Sequence, residues 1–244
     1  MSNNYFRFKQ FTVFQDNCAM KVCTDACLFG ALTANQKLIL GVAEGQTSNC
    51  LDIGTGTGLL SLMVAQKDPD TIIDAVEIDR EAAIQAGENF SASPWKKRLH
   101  IYNSDILLFR PDRKYDRIFS NPPFFEDDLM SPDQDKNNAK HDTSLSLTEL
   151  LQVVKHHLAA DGTFSVLLPY RRVNHFIEEA GKKELHLTQK ILVKQTEKHD
   201  YFRGILFFSK EKKQAVQSGM SIKDSEGNYS AEFISALKDY YLYL

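Results

Sequence analysis

At 244 residues, with 43% hydrophobic and 25% charged side chains, the chain has the composition of an ordinary globular protein and the length for one domain with small additions. Its formal net charge of −3 argues against indiscriminate nucleic-acid binding but leaves room for a local basic face. No run approaches the roughly 18 to 20 apolar residues of a membrane span, and Met1-Ser2-Asn3-Asn4 does not begin a signal peptide, so a cytoplasmic location is expected. Cys18, Cys23, Cys27 and Cys50 match no zinc spacing, and no histidine precedes His100; reduced thiols and no metal are expected.

Residues 6–15, FRFKQFTVFQ, set Phe6, Phe8, Phe11 and Phe14 among Arg7, Lys9 and Gln10. This predicts two short strands or a hairpin, whose aromatics either cover a core edge or face RNA. Lys21-Val22-Cys23-Thr24-Asp25 leads into a helix over Ala26 to Thr33, with Thr24 or Asp25 as its N-cap. Gly41 to Asn49 is polar and glycine-containing, which marks a boundary between an extension over residues 1–40, packed on the core, and a main domain over residues 41–244.

The main domain opens with a strand, Cys50 to Ile53, then Gly54-Thr55-Gly56-Thr57-Gly58, then a helix over Leu59 to Gln66. Glycines let backbone approach a ligand closely, and the helix start offers unpaired N–H groups at a positive dipole end. A dinucleotide fingerprint requires G-x-G-x-x-G, but Leu59 follows Gly58; the pattern here is D-x-G-x-G-x-G from Asp52. A second strand, Thr71 to Val76, ends in Glu77, an acid placed to take both hydroxyls of a ribose.

Arg80 to Phe90 reads as a helix and Leu99 to Asn103 as a strand ending in Ser104-Asp105. Tyr115 to Ser120 is the next strand. Alternating strands and helices imply a parallel sheet whose ligands sit at the strands' carboxyl ends, so Glu77, Asp105 and Asn121 line one edge. Glu126 to Asp142 is expected as a mobile loop beside that edge. A helix over Thr148 to Leu158, a strand over Gly162 to Leu168 and a helix over Arg171 to Gly181 follow. Leu185 to Val193 and Gly204 to Ser209 complete the strands as an antiparallel pair. Ala231 to Leu244 is a helical tail, rich in aromatics, packed back on the body.

The segment Asn121-Pro122-Pro123-Phe124-Phe125 follows directly from the strand at 115–120. Proline has no N–H and biases the residue before it towards extended geometry, so two in a row make a stiff turn whose carbonyls lack ladder partners. The Asn121 side-chain oxygen and the Pro122 carbonyl can each accept a hydrogen bond from an exocyclic NH2, while Phe124 offers a face for stacking. A rigid stop would be the better reading of an isolated Pro-Pro; the glycine loop upstream reverses it.

Taken together, Asp52-x-Gly54-x-Gly56-x-Gly58, the acid after the second strand, Asp105 after the third and Asn-Pro-Pro-Phe after the fourth resemble the Rossmann-like methyltransferases that use S-adenosylmethionine. The resemblance implies an α/β fold with a seven-stranded, mostly parallel sheet, one antiparallel strand, helices on both faces and an N-terminal β-hairpin. Within that set the chain is similar to the tRNA1(Val) adenine N6-methyltransferase family, through FRFKQFTVFQ, Met20-Lys21-Val22-x-Thr24-Asp25, NPPFF and the tail YSAEFISALKDYYLYL. Cys23 departs from the family, whose members often carry glycine there.

This implies methyl transfer from S-adenosylmethionine, with S-adenosylhomocysteine as product, to adenine 37 beside the anticodon of a tRNA-Val. Asn121, Pro122, Pro123 and Phe124 would hold the target. Asp52 would lie near the cofactor's ammonium, Gly54, Gly56 and Gly58 along its methionine portion, and Thr24 and Asp25 over that end. Glu77 with Ile78 would take the ribose, Asp105 with Ile106 the adenine, and Asn121 would face the methyl. The partner implied is a tRNA anticodon stem-loop met by a monomer. Candidate contacts to it are Arg7, Lys9, Arg171, Arg172, Lys182, Lys183, Lys190, Lys194, Lys198, Tyr201 and Arg203, several of which are expected to share one face around the site. Guanine N2 of rRNA and the glutamine amide of release factors remain as alternative acceptors for an Asn-Pro-Pro-aromatic turn.

Overall fold

The computed structural model describes residues 4–18, 20–35, 47–122 and 145–244. The loop expected over Glu126 to Asp142 lies outside them, as does most of the connection expected over Gly41 to Asn49.

The elements run β1 (Tyr5–Arg7), β2 (Thr12–Phe14), α1 (Thr24–Ala34), β3 (Ser48–Ile53), α2 (Leu59–Lys67), β4 (Thr71–Glu77), α3 (Arg80–Ala92), β5 (Leu99–Asn103) and β6 (Tyr115–Ser120). Then come α4 (Leu147–His157), β7 (Leu158–Pro169), a 3-10 turn (Tyr170–Arg172), α5 (Val173–Lys182), β8 (His186–Thr196), β9 (Tyr201–Ser209), β10 (Val216–Lys223) and α6 (Ala231–Leu237). β1 and β2 form an antiparallel hairpin; the other strands form one sheet in the order β10-β8-β9-β7-β6-β3-β4-β5.

β3 to β7 run parallel, and β9 is the one strand antiparallel to its neighbours, as expected. The strand count differs from the expected seven. β10 adds an eighth strand, parallel to β8 at the sheet edge. Its first half, VQSG, is exposed and ends in Gly219, so only Met220 and Ile222 carry the apolar alternation that burial writes into a strand. β7 also begins earlier than Gly162: Leu158 pairs with Tyr115, and a register shift before the Arg117↔Thr163 pair absorbs the extra residues.

β3 is buried at nearly every position because both its faces are covered, and it sits where the strand order turns back on itself, with β4 on one side and β6 on the other. The crevice above such a reversal is where open α/β sheets bind ligands.

Two of the hairpin segment's aromatics go inward, while Phe14 stays exposed. Phe8 and Phe11 are buried and stack with centroids 4.4 Å apart, and Phe8 bridges to Tyr241. Of the two sequence readings, the core-edge one holds for these rings. The C-terminal tail is helical only over α6; beyond it Tyr240 and Tyr241 turn inward, with Tyr240 Oη donating to the Met63 carbonyl at 3.1 Å. The expected helix to Leu244 is cut short because inward packing of two successive tyrosines suits a turn, not a helix face.

At the sheet's amino edge Arg117 is buried in β6 and its guanidinium meets the Asp68 carboxylate, Ser48 and Thr71. Removing one member of such a pair leaves an uncompensated buried charge. Arg117→Met should therefore lower the free energy of unfolding by about 3 kcal/mol, read from urea titration; a loss below about 1 kcal/mol would contradict the assignment.

Gly58 ends the glycine loop at φ +81°, and a Cβ there would fall 2.4 Å from Phe90 Cε1. Gly58→Ala should cost about 2–4 kcal/mol, combining left-handed backbone strain with overpacking, and thermal melts that overlay the wild type would contradict this.

Candidate active site

Three loops leave adjacent strands at the sheet's carboxyl edge. Ile53 of β3 stands opposite Ser120 of β6 and Val76 of β4, so Gly54, Glu77 and Asn121 emerge side by side. Ser120 Oγ donates to the Ile53 carbonyl at 2.8 Å, and the N–H groups of Gly54 and Thr55 donate to the Val76 carbonyl at 2.9 and 3.3 Å. The three strand ends are thereby bonded into one rim.

Above that rim lies a cavity of about 690 Å3. Of the expected site residues, Gly54, Gly56, Glu77, Ile78, Asp105, Ile106, Asn121 and Pro122 line it. Pro123 and Phe124 lie outside the described residues. Thr24, Asp25, Asp52 and Gly58 are not among its lining residues. Thr24 opens α1, and Asp25 Oδ2 accepts from Arg203 Nε at 2.7 Å. Burial would raise the Asp25 pKa, but bonds from the Cys23 thiol and the Arg203 guanidinium outweigh it and hold the carboxyl below its usual range.

Asp52 is wholly buried beneath the loop. Its Oδ2 accepts from Thr55 Oγ1 at 2.6 Å and Ser61 Oγ at 2.7 Å, while Oδ1 has no hydrogen-bond partner among the described residues. Burial pushes its pKa up to about 6, with the Glu77 charge adding to the shift and the two hydroxyls opposing it. Glu77 is held in turn: Oε2 accepts from the Gly56 N–H at 2.8 Å and Oε1 from the Asp79 N–H at 3.0 Å. Each carboxylate oxygen keeps a lone pair for a further donor. Asp105 Oδ1 accepts from the Leu107 N–H at 2.8 Å, which fixes that carboxylate on the rim.

Gly54 and Gly56 have φ +68° and +56°, and a Cβ at either position would meet no atom within 4 Å. Their backbone thus faces open space beside the cavity, the arrangement that lets a ligand lie against the chain. An adenosine joined to an amino-acid tail fits this donor set. Paired acceptors stand at Glu77, a further carboxylate at Asp105, bare backbone at Gly54 and Gly56, and an orphan buried carboxylate oxygen at Asp52 suits an ammonium.

The sequence did not reveal the cavity's outer wall. Asn17, Cys18, Met20, Lys21, Val22 and Ala26 complete it, so the N-terminal extension is part of the site. It is anchored by Asn89, buried on α3, which accepts from the Phe14 N–H and donates to the carbonyls of Phe14 and Thr57, all at 2.8–2.9 Å. A polar residue at a buried α3 position, among Ala82, Ala86 and Phe90, was the available signal. Burial, with Glu77 and Asp79 nearby, pushes the Cys18 thiol up to about 11, so it stays protonated in the wall.

Several of the candidate RNA contacts share one edge, and others lie elsewhere. Arg171 and Arg172 follow β7 at the site edge, and Lys194, Tyr201 and Arg203 reach the same edge from β8 and β9. Lys194 Nζ lies 4.8 Å over the Tyr201 ring. Lys182 ends α5, and Lys183 follows it where the chain returns to start β8, at the opposite edge; Lys182 pairs with Glu179. Lys9 bonds the Lys238 carbonyl, away from that cluster.

Known proteins resemble this chain along its full length. Residues 19–179 match the family model described as "Methyltransferase small domain". A tRNA1(Val) (adenine(37)-N6)-methyltransferase of Dyadobacter fermentans is 41% identical, covering 98% of both chains. One from Bacteroides thetaiotaomicron is 38% identical over 100% of both, and one from Klebsiella pneumoniae 39% over 100% of this chain and 97% of its own. Among solved structures, a predicted O-methyltransferase from Agrobacterium tumefaciens superposes with TM-score 0.65 at 15% identity, covering 88% of this chain and 96% of that one. The ribosomal protein L11 methylase of Lactobacillus delbrueckii gives 0.52 at 16%, covering 76% and 77%. At that identity these likenesses speak for the Rossmann-like class I methyltransferase fold alone. Full-length identity near two in five with its relatives carries more: the chain belongs to the tRNA1(Val) (adenine(37)-N6)-methyltransferase family.

Proposed function

We propose that this chain transfers a methyl group from S-adenosylmethionine to the exocyclic N6 amine of adenine 37 in a tRNA-Val, reaching it in the anticodon loop. The observation that carries the reading is the convergence of the glycine loop and the Asn121-Pro122 turn on one cavity, with Glu77 and Asp105 following on the far side of the glycine loop. The relatives' names supply the nucleotide and the tRNA.

When bound, the cofactor supplies a methyl group already activated by its sulfonium. The protein's part is placement and field. Glu77 would accept from the ribose hydroxyls and Asp105 from the cofactor's adenine amine, while the Asp52 charge, buried behind the loop, would favour the ammonium. An amine conjugated to a purine ring is a poor nucleophile because its lone pair is delocalised. Acceptor bonds from Asn121 Oδ1 and the Pro122 carbonyl hold both its hydrogens and turn that lone pair towards the cavity. Phe124 would stack on the ring, worth about 1–3 kcal/mol for a base in a single-stranded segment. No basic side chain has to take the proton beforehand, since the methylated nitrogen sheds it to solvent.

Unstacking the target costs least in an unpaired loop, which favours an anticodon loop over duplex RNA. Arg171, Arg172, Lys194 and Tyr201 stand at the correct edge to meet the flanking backbone.

Labelled methyl transfer to total tRNA, total rRNA and release factors, followed by nucleoside and amino-acid analysis, tests the reading. N6-methyladenosine in tRNA is expected; N2-methylguanosine in rRNA or methylglutamine would overturn it. Asn121→Ala should keep cofactor affinity within about twofold and lose at least about 100-fold in kcat; near-normal turnover would remove the role of that side chain.

The Asp52 assignment has a pH signature. With its free-protein pKa near 6, the carboxylate is ionised at neutral pH and protonates as pH falls, so it loses its attraction for the ammonium. Cofactor affinity by calorimetry should be level above pH 7 and decline below about 6. Asp52→Asn should bind weakly with no such decline; an equal decline in both proteins would contradict the assignment.

A further inference from the structure

Met20 touches the amide of Asn121. The Asn121 Nδ2 donates to Met20 Sδ at 3.7 Å, within the range of hydrogen bonds to sulfur. Met20 lines the same cavity and is 47% exposed, so it is not a core residue held there by burial. Its segment is fixed on either side: Cys18 is buried, and the Val22 N–H donates to Gln15 Oε1 at 2.8 Å.

The chemistry of the pair is asymmetric. A thioether sulfur accepts hydrogen bonds and donates none, whereas the asparagine amide has a donating and an accepting end. Only one of the two amide orientations is attractive: NH2 towards sulfur, oxygen away from it. The reverse would set two lone-pair-bearing atoms against each other. The proposed reaction needs that oxygen, because a target amine offers donors and requires acceptors.

We propose that Met20 is a positioning residue, whose sulfur holds the Asn121 NH2 and thereby presents Oδ1 to the amine to be methylated. This rests on the function proposed above and adds a contact from the N-terminal wall to it. Met20 reaches no reacting atom; it acts through the amide. It also explains why a flexible, half-exposed apolar side chain stands over a polar rim.

A double-variant cycle tests it in the full-length protein. Met20→Leu keeps size and apolarity and removes the acceptor. Asn121→Asp keeps accepting oxygens and removes the NH2, so the sulfur has nothing left to orient. Met20→Leu should lower kcat about three- to tenfold with the cofactor KM within about twofold, and should have no further effect in the Asn121→Asp background. An unchanged kcat, or an equal fall in both backgrounds, would overturn the proposal, the second outcome marking a packing role. An independent readout needs no turnover. The side-chain NH2 cross-peaks of Asn121, identified by their loss in Asn121→Asp, should shift in Met20→Leu in the protein alone; unmoved peaks would overturn the proposal. A wild type that transfers no methyl to tRNA would instead overturn the proposed function, leaving the NMR result to decide the contact.

Discussion

The parallel pairing of β3 with β6 governs what this molecule can do. Ile53 opposite Ser120 brings the last residues of the two strands level, and the Ser120 hydroxyl ties them together. One residue further on, each chain leaves the sheet with a backbone no ordinary strand continues: Gly54 at positive φ, and Asn121 ahead of a proline. A slip of the register by one residue would turn Asp52 from the interior to the other face and move Asn121 along the rim. The cofactor-type loop and the acceptor turn are therefore placed by a single set of backbone hydrogen bonds, and β4 supplies Glu77 through the same device on the other side.

Beneath the loop, Asp52 is a polar keystone with an unsatisfied half. Thr55 and Ser61 satisfy one oxygen and fix the turn; the other has no partner among the described residues. Such an atom is costly to bury unless a donor meets it. Glu77 shows the gentler version, with two backbone N–H groups orienting a carboxylate that keeps capacity for a ligand. Both acids are held by the loop they help to shape.

What could be read from the sequence was whatever the side-chain type itself enforces. Glycine at Gly54, Gly56 and Gly58 announces backbone that other residues avoid, and Pro122 announces a carbonyl rim without donors. β7 and β9 announce themselves by apolar runs, Val166 to Leu168 and Ile205 to Phe208. The wall from Asn17 to Val22 was illegible, because an irregular segment pinned by Gln15 and Asn89 has no period. β10 was illegible because half of this edge strand is exposed and only Met220 and Ile222 alternate towards the core. Thr24 and Asp25 were legible as a motif but not as geometry. Their neighbours Lys21, Val22 and Ala26 line the cavity, while Asp25 is engaged by Arg203, 178 residues away, a partner no local spacing could supply.

The account stands on one cavity serving both loops, and a crystal structure with S-adenosylhomocysteine bound tests it most directly. The predicted result places the ribose hydroxyls on Glu77, the amino-acid tail along Gly54 and Gly56, and the ligand's sulfur facing the Asn121-Pro122 turn with room for one planar ring between. A ligand lodged elsewhere, or one whose sulfur points away from that turn, would contradict it.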